Sequence, residues 1–346
     1  MRRVLIAVLP FVVAACQGTS SVPAPDSGTQ SSLAAFRASL PSIAGQARAP
    51  QGRAVFSPPQ LAESARKPAW LFASNGEGGN IDVYDQKTFK MISTCPCTGV
   101  GVAVQPRTGV LAVGARSSAI TLWHVTRTAI TQFGTLKLSQ GPYAIGIAFD
   151  GHGNLYAGNA GDNVIDVFTA AEVKRGTGTP VRSLFTSNLN EVEYLAATGT
   201  SLVADGYNQN GQPIIVSVNT KTGADTILQT PVSGTLPYGI VFDRKQNLIF
   251  NNAGNTNTIF VYAKPWNGSP SVSFVYGNGA SNGYYSGISL NAAQTTLWAA
   301  NFTLLNQSHA VANVQANSYP LGSVGNGSLA VTNDFYDSIV AWPQGK

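Results

Sequence analysis

Along this chain, short apolar runs opening on leucine end in a small or polar pair, pass through a turn, and resume on isoleucine or valine. The runs are LFASN (Leu71–Asn75), LAVGA (Leu111–Ala115), LYAGN (Leu155–Asn159), LVADG (Leu202–Gly206), LIFNN (Leu248–Asn252) and LWAAN (Leu297–Asn301). They resume as IDVY at Ile81, ITLW at Ile120, IDVF at Ile165, IIVS at Ile214, IFVY at Ile259 and VANV at Val311. The leading leucines are 40, 44, 47, 46 and 49 residues apart. A self-similar period of about 45 residues, each holding several short strands, predicts an all-β fold of the β-propeller type.

Each repeat resolves into four strands. In the third they are Tyr143–Phe149, Leu155–Asn159, Val164–Phe168 and Val181–Thr186. In the fifth they are Tyr238–Phe242, Leu248–Asn252, Ile259–Tyr262 and Ser271–Tyr276. The first strand is small and apolar (Ile145-Gly146-Ile147-Ala148), as suits the strand crowding a central channel. The third ends on a ring, Tyr84, Trp123, Phe168 or Tyr262, placed to pack between neighbouring blades. The spacing predicts six blades, with seven as the alternative. A further motif at the C-terminus, Leu329–Asn333 followed by Ile339–Trp342, begins 32 residues after the previous leucine. The first repeat lacks its own first strand. Both observations are met by a ring closed with strands from the two ends of the chain, which removes free edges.

The N-terminus reads as a targeting segment over 1–15. Arg2 and Arg3 precede the apolar stretch Val4–Val13, which is too short to span a bilayer. Val13-Ala14-Ala15 before Cys16 resembles a bacterial lipobox, which implies cleavage before Cys16 and acylation of its thiol. The other reading is an ordinary secretory signal with an incidental cysteine. Gln17 follows where an aspartate would, by the same resemblance, favour the inner membrane, so the expected location is the outer membrane of the cell envelope. Residues 16–68 are rich in Ser, Ala, Pro, Gly and Gln and read as a mostly disordered tether. The propeller is expected over 69–346.

Charge changes the picture by subtraction. The whole chain carries a formal +5. Seven of its 21 Lys and Arg, and two of its 16 Asp and Glu, precede Trp70, leaving 14 of each sign in the repeats. Nucleic acid needs positive charge gathered on a folded face, and the repeats lack that excess. No nucleic-acid partner is expected, and the membrane is met through the lipid anchor alone. The chain is expected to be a monomer.

The cadence Gly153-Asn154-Leu155-Tyr156-Ala157-Gly158-Asn159 followed by Ile165-Asp166-Val167-Phe168 resembles the bacterial NHL, YVTN and gluconolactonase-like propellers over roughly residues 70–342. Such folds host enzymes, binders and scaffolds alike.

In an antiparallel meander, the loops after strands two and four open on one face. This gathers a candidate ligand rim of Asn75, Tyr143, Asn159, Glu191, Glu193, Asp205, Tyr238, Asn252, Tyr285, Asn301 and Asn333. Asparagine also suits a strand entering a turn for purely local reasons. The functional reading is a set of amides and stacking rings that holds a small polar ligand or a partner protein. The opposite face receives turns such as Arg107-Thr108-Gly109 and Asp243-Arg244-Lys245, which read as hairpin chemistry. No cofactor or metal is expected; the alternative, implied by resemblance to the gluconolactonase-like group, is a divalent metal, Ca2+ by its oxygen ligands, held by Glu191 or Glu193, Asp205, Asn159 and Asn252. No catalytic motif matches residue by residue. His124, His152 and His309 have no spacing suited to metal or proton transfer. Cys95 and Cys97 are the remaining thiols once Cys16 is acylated, and export favours a disulfide between them. The expected function is a binding or scaffold module; the alternative is a metal-dependent hydrolase or lactonase at the channel mouth.

Overall fold

The computed structural model describes residues 53–55, 69–75, 80–88, 90–115, 117–126, 128–141, 143–159, 161–231, 236–253, 258–275, 283–306, 309–320, 327–328 and 336–342. The signal, Cys16 and most of the tether lie outside the described residues. Within the described residues, six four-stranded antiparallel units stand as blades around a central channel.

After β1 (Arg53–Val55), blade 1 holds β2 (Trp70–Asn75), β3 (Asn80–Asp85) and β4 (Met91–Thr98). Blade 2 holds β5 (Gly101–Val104), β6 (Val110–Gly114), β7 (Ala119–Val125) and β8 (Ala129–Lys137). Blade 3 comprises β9 (Ala144–Phe149), β10 (Leu155–Asn159), β11 (Val164–Phe168) and, after an insertion, β13 (Arg182–Phe185). The insertion is helix α1 (Ala170–Arg175) followed by β12 (Thr177–Gly178). Blade 4 runs β14 (Glu191–Ala197), β15 (Leu202–Tyr207), β16 (Pro213–Val218) and β17 (Asp225–Gln229). Blade 5 runs β18 (Leu236–Phe242), β19 (Leu248–Ala253), β20 (Thr258–Tyr262) and β21 (Val272–Val275). Blade 6 runs β22 (Gly283–Leu290), β23 (Thr296–Asn306), β24 (His309–Ser318) and β25 (Gly327–Ser328).

The last strand, β26 (Tyr336–Trp342), pairs antiparallel with β2 and becomes the innermost strand of blade 1. The ring is therefore six-bladed and closed by both ends of the chain. The alternative of a seventh blade fails because the Ile339–Trp342 run supplies the strand that the first repeat lacks. Two further strands join the outer edge of blade 2: β1 runs antiparallel to β8, and β12, arriving from blade 3, runs parallel to it.

Three of the four rings expected between blades, Trp123, Tyr84 and Phe168, pack there, while Tyr262 stacks on Phe250 of its own blade. Trp123 of blade 2 lies in one apolar cluster with Phe72, Ile81 and Cys95 of blade 1. Tyr84 of blade 1 clusters with Trp298 and Val314 of blade 6, and Phe168 of blade 3 with Leu122 and Leu136 of blade 2. A flat, rigid ring buries a large area at small entropic cost, which suits a junction repeated around a circle.

The polar or small residue at the fourth position of each leucine run has a structural reason. It meets the innermost strand of the next blade. Ser74 Oγ donates to the Val100 carbonyl at 2.7 Å, at the entry to β5, and accepts from Ser338 N at 2.8 Å. Asp205 accepts from the backbone N–H of Gly239 in β18. Gly114 occupies the same place in blade 2, where a Cβ would collide with the Ala144 carbonyl of β9. In these three blades the junction takes either no side chain or one that hydrogen-bonds the neighbouring backbone, whereas blade 6 has Ala300 there, in an apolar cluster with Ile339 of β26.

Candidate functional site

A cavity of about 650 Å³ occupies the channel. Its walls are the innermost strands β5, β9, β14, β18, β22 and β26, and its mouth is formed by turns joining first to second strands. Each innermost strand has a ladder partner on one side only, so backbone donors and acceptors border the channel beside Ile147, Ile240 and Ile288. At one level the strands come close together. A Cβ on Gly239 of β18 would lie 2.7 Å from Gly287 Cα of β22, and one on Gly287 would lie 3.0 Å from Ser338 Cα of β26. From that level the described lining descends to the turns. Its exposed members, Arg107, Gly151, Gly199 and Arg244, all belong to those turns. The cavity therefore meets solvent on the face opposite the predicted rim.

The turns at this mouth are built by carboxylates turned inward. Asp150 accepts from His152 N at 2.8 Å, Asn154 N at 2.9 Å, Asn154 Nδ2 at 2.8 Å and Tyr156 OH at 3.4 Å. Burial, and then the Asp150 charge, push the Tyr156 phenol up to about 12. Asp243 repeats the arrangement in blade 5, accepting from Asn247 N and Nδ2 at 2.8 Å each and from Tyr319 OH of blade 6 at 2.6 Å. Burial and that hydrogen bond likewise raise the Tyr319 phenol. Asp150 and Asp243 are both buried, so they order the turns and offer little charge to solvent. The hairpin role read from sequence holds at these positions. The sequence reading missed that the same turns, with Arg107 and Arg244, ring the cavity. The available signal was their recurrence at one position in repeats half a ring apart.

On the other face, Asn159, Glu193 and Asp205 are all fully buried. Asn159 ends β10 and its carbonyl accepts from Asp162 N at 3.2 Å, as its turn-forming role requires. Asp205 accepts from Tyr194 N at 2.8 Å and from Gly239 N, while its Oδ2 finds no hydrogen bond among the described residues. Burial, reinforced by the nearby Glu193 charge, raises its carboxyl well above the ordinary range. Tyr143 precedes β9 and Glu191 opens β14, both half-buried. Asn333, and the side chains of Asn75, Tyr238, Asn252, Tyr285 and Asn301, lie outside the described residues.

The donor set for the implied metal does not assemble among the described residues. Glu191, Glu193 and Asp205 all come from blade 4, and no group of three or more His, Cys, Asp and Glu side chains is gathered in a ligating arrangement. A hard cation such as Ca2+ takes six to eight oxygens, which two buried carboxylates from one blade do not supply. Cys95 and Cys97 form a disulfide within β4. It is fully buried in the cluster between blades 1 and 2, so its place is in the core.

No family model matches this chain, and no curated protein matches it in sequence. Among solved structures, the chain is similar to a TolB candidate from Agrobacterium tumefaciens. That match has a TM-score of 0.56 and 12% identity, covering 79% of this chain and 96% of that one. It is also similar to the β-propeller domain of Cps50 (Swd1) from Myceliophteria thermophila. There the TM-score is 0.44 and the identity 11%, covering 67% of this chain and 86% of that one. At such identities the likeness to the first supports the propeller fold and nothing finer.

Proposed function

We propose that this protein is an exported binding module, anchored to the cell envelope through a lipid on Cys16, that holds a small polar ligand in the central channel. The observation that carries this reading is the cavity of about 650 Å³ between the innermost strands. Its size falls within the usual range for small-molecule sites, roughly 300–1,000 Å³. Its wall combines apolar side chains with strand-edge backbone groups, which can hydrogen-bond a polar body without any dedicated side chain.

The test is thermal unfolding of the full mature chain against a panel of sugars, amino acids, carboxylates and phosphate esters, repeated with Gly151→Trp. A Cβ at Gly151 would meet nothing nearer than Gly199 N at 3.9 Å, so the fold accepts the indole while the mouth narrows. One class of compound is expected to raise the midpoint by several degrees, since binding to the native state alone stabilises it. That rise should vanish in the variant. A rise that survives in Gly151→Trp would place the ligand elsewhere. For the anchor, Cys16→Ser is expected to abolish incorporation of labelled fatty acid and release the protein from the membrane fraction.

A further inference from the structure

Resting on the channel as the binding site, we infer that its ligand is a small organic anion, a carboxylate or phosphate ester, captured at the mouth by Arg107 and Arg244. The two arginines occupy equivalent turns in blades 2 and 5, three blades apart in a ring of six and so on opposite sides of the mouth. Both are exposed and both line the cavity.

The carboxylates of the lining make no ion pair with them among the described residues. Asp150 and Asp243 are buried in their own turns, and each is occupied by at least three donors. The charged groups that a solute can touch at this opening are therefore the two guanidiniums. Arg107 makes no hydrogen bond or ion pair among the described residues, leaving its guanidinium available. Arg244 is held in place: its guanidinium donates to the Ala292 carbonyl, and its backbone N donates to Gln294 Oε1 at 2.8 Å. A guanidinium presents a planar fork that matches two oxygens of a carboxylate or phosphate, and partial immobilisation lowers the entropic cost of using it.

The two guanidiniums set the ligand's charge and the strand edges behind them receive its polar body. Gln246 and Gln294 supply amides at the same mouth. The surrounding acids point into turns, so an anion approaching the channel meets no exposed carboxylate from the cavity lining.

The test is calorimetric titration of the full mature chain in mild detergent with citrate, pyrophosphate and, as a neutral probe, trehalose. The variants are Arg107→Gln, Arg244→Gln, both together, Gly151→Trp and Lys221→Gln. Lys221 is exposed, lies between β16 and β17 outside the cavity, and removes the same charge. At least one anion is expected to bind, with affinity falling roughly tenfold or more in the double arginine variant and in Gly151→Trp, and unchanged in Lys221→Gln. Binding should also weaken with added salt. Anion binding that is indifferent to the arginines overturns the assignment, as does the absence of any anion binding. Trehalose binding that Gly151→Trp abolishes, without anion binding, would sink the anion and leave the channel standing. If no probe responds to Gly151→Trp, both readings fall.

Discussion

Asp205 joins two blades through its carboxyl, accepting from Tyr194 N in β14 and from Gly239 N in β18. These bonds favour the charged form, but burial and the Glu193 charge outweigh them and hold the group well above its ordinary range. Its folded state therefore binds more protons than the unfolded chain at pH values above the unfolded pKa of about 3.9. By linkage, stability from this group falls as pH rises from that value through the folded one. Asp225 acts in a separate window. Burial alone would raise it, but donors from Ser187 and Asn188 prevail and lower it, so its contribution is lost only on acidification below about 3.9. The expected outcome is a melting temperature that declines between pH 4.5 and 7.5, with Asp205→Asn flattening the decline and melting higher than wild type at pH 7.5. An unchanged slope in the variant would show that another group governs the profile. The sequence alone placed Asp205 near a strand end but could not show its isolation. That depends on which backbone of the next blade covers it.

The insertion between β11 and β13 links two blades at the level of elements. Helix α1 is short, and it starts on a capping box: Thr169 Oγ1 accepts from Glu172 N at 3.3 Å, and Glu172 Oε2 accepts from Thr169 N at 2.8 Å. It ends at Gly176 with a φ of 75°, a backbone conformation that glycine adopts without penalty. This sharp exit lets the Gly176 carbonyl accept from Thr135 N at 2.8 Å, and β12 then runs beside β8 of blade 2. Thr169→Ala removes the cap, worth about 0.5–2 kcal/mol. The expected result is faster hydrogen exchange at the Thr135 amide, with protection unchanged at Leu202 in blade 4, which the strap does not touch. Equal exchange at Thr135 in both proteins would mean that the strap does not depend on its helix. The Thr-x-x-Glu signal and the glycine were present in the sequence. Their destination was not, because a parallel pairing with a neighbouring blade leaves no local pattern. The strands themselves were legible, since leucine runs recur with each blade and terminal rings with four of the six. The cavity was less so: its depth follows from how closely six innermost strands converge, and no single repeat carries that information.

The whole molecule depends on seven residues at the end of the chain. β26 supplies the inner edge of blade 1, where Ile339, Val340 and Ala341 are buried and Trp342 lies 5.6 Å from Trp70 between ring centroids. Ser338 shares hydrogen bonds with Ser74, and Gln86 Nε2 donates to both the Trp70 and Trp342 carbonyls. Burying each large apolar side chain contributes about 1.5–3 kcal/mol, so losing the strand removes a sum comparable with the whole stability of a typical domain, about 5–15 kcal/mol. The loss is also topological. Without β26, blade 1 has three strands, the edge of β2 is open to pairing with other chains, and β5 and β22 lose the neighbour that lies between them. A chain ending at residue 335 is therefore expected to lose its cooperative thermal transition and to elute as aggregate on gel filtration. Addition of a synthetic Tyr336–Trp342 peptide should restore part of the transition, because a strand supplied in trans makes the same ladder at the cost of association entropy. A truncated chain that stays monomeric and melts at the wild-type temperature would show that five complete blades and a three-stranded sixth suffice. The closure by β26 would then be dispensable to the ring.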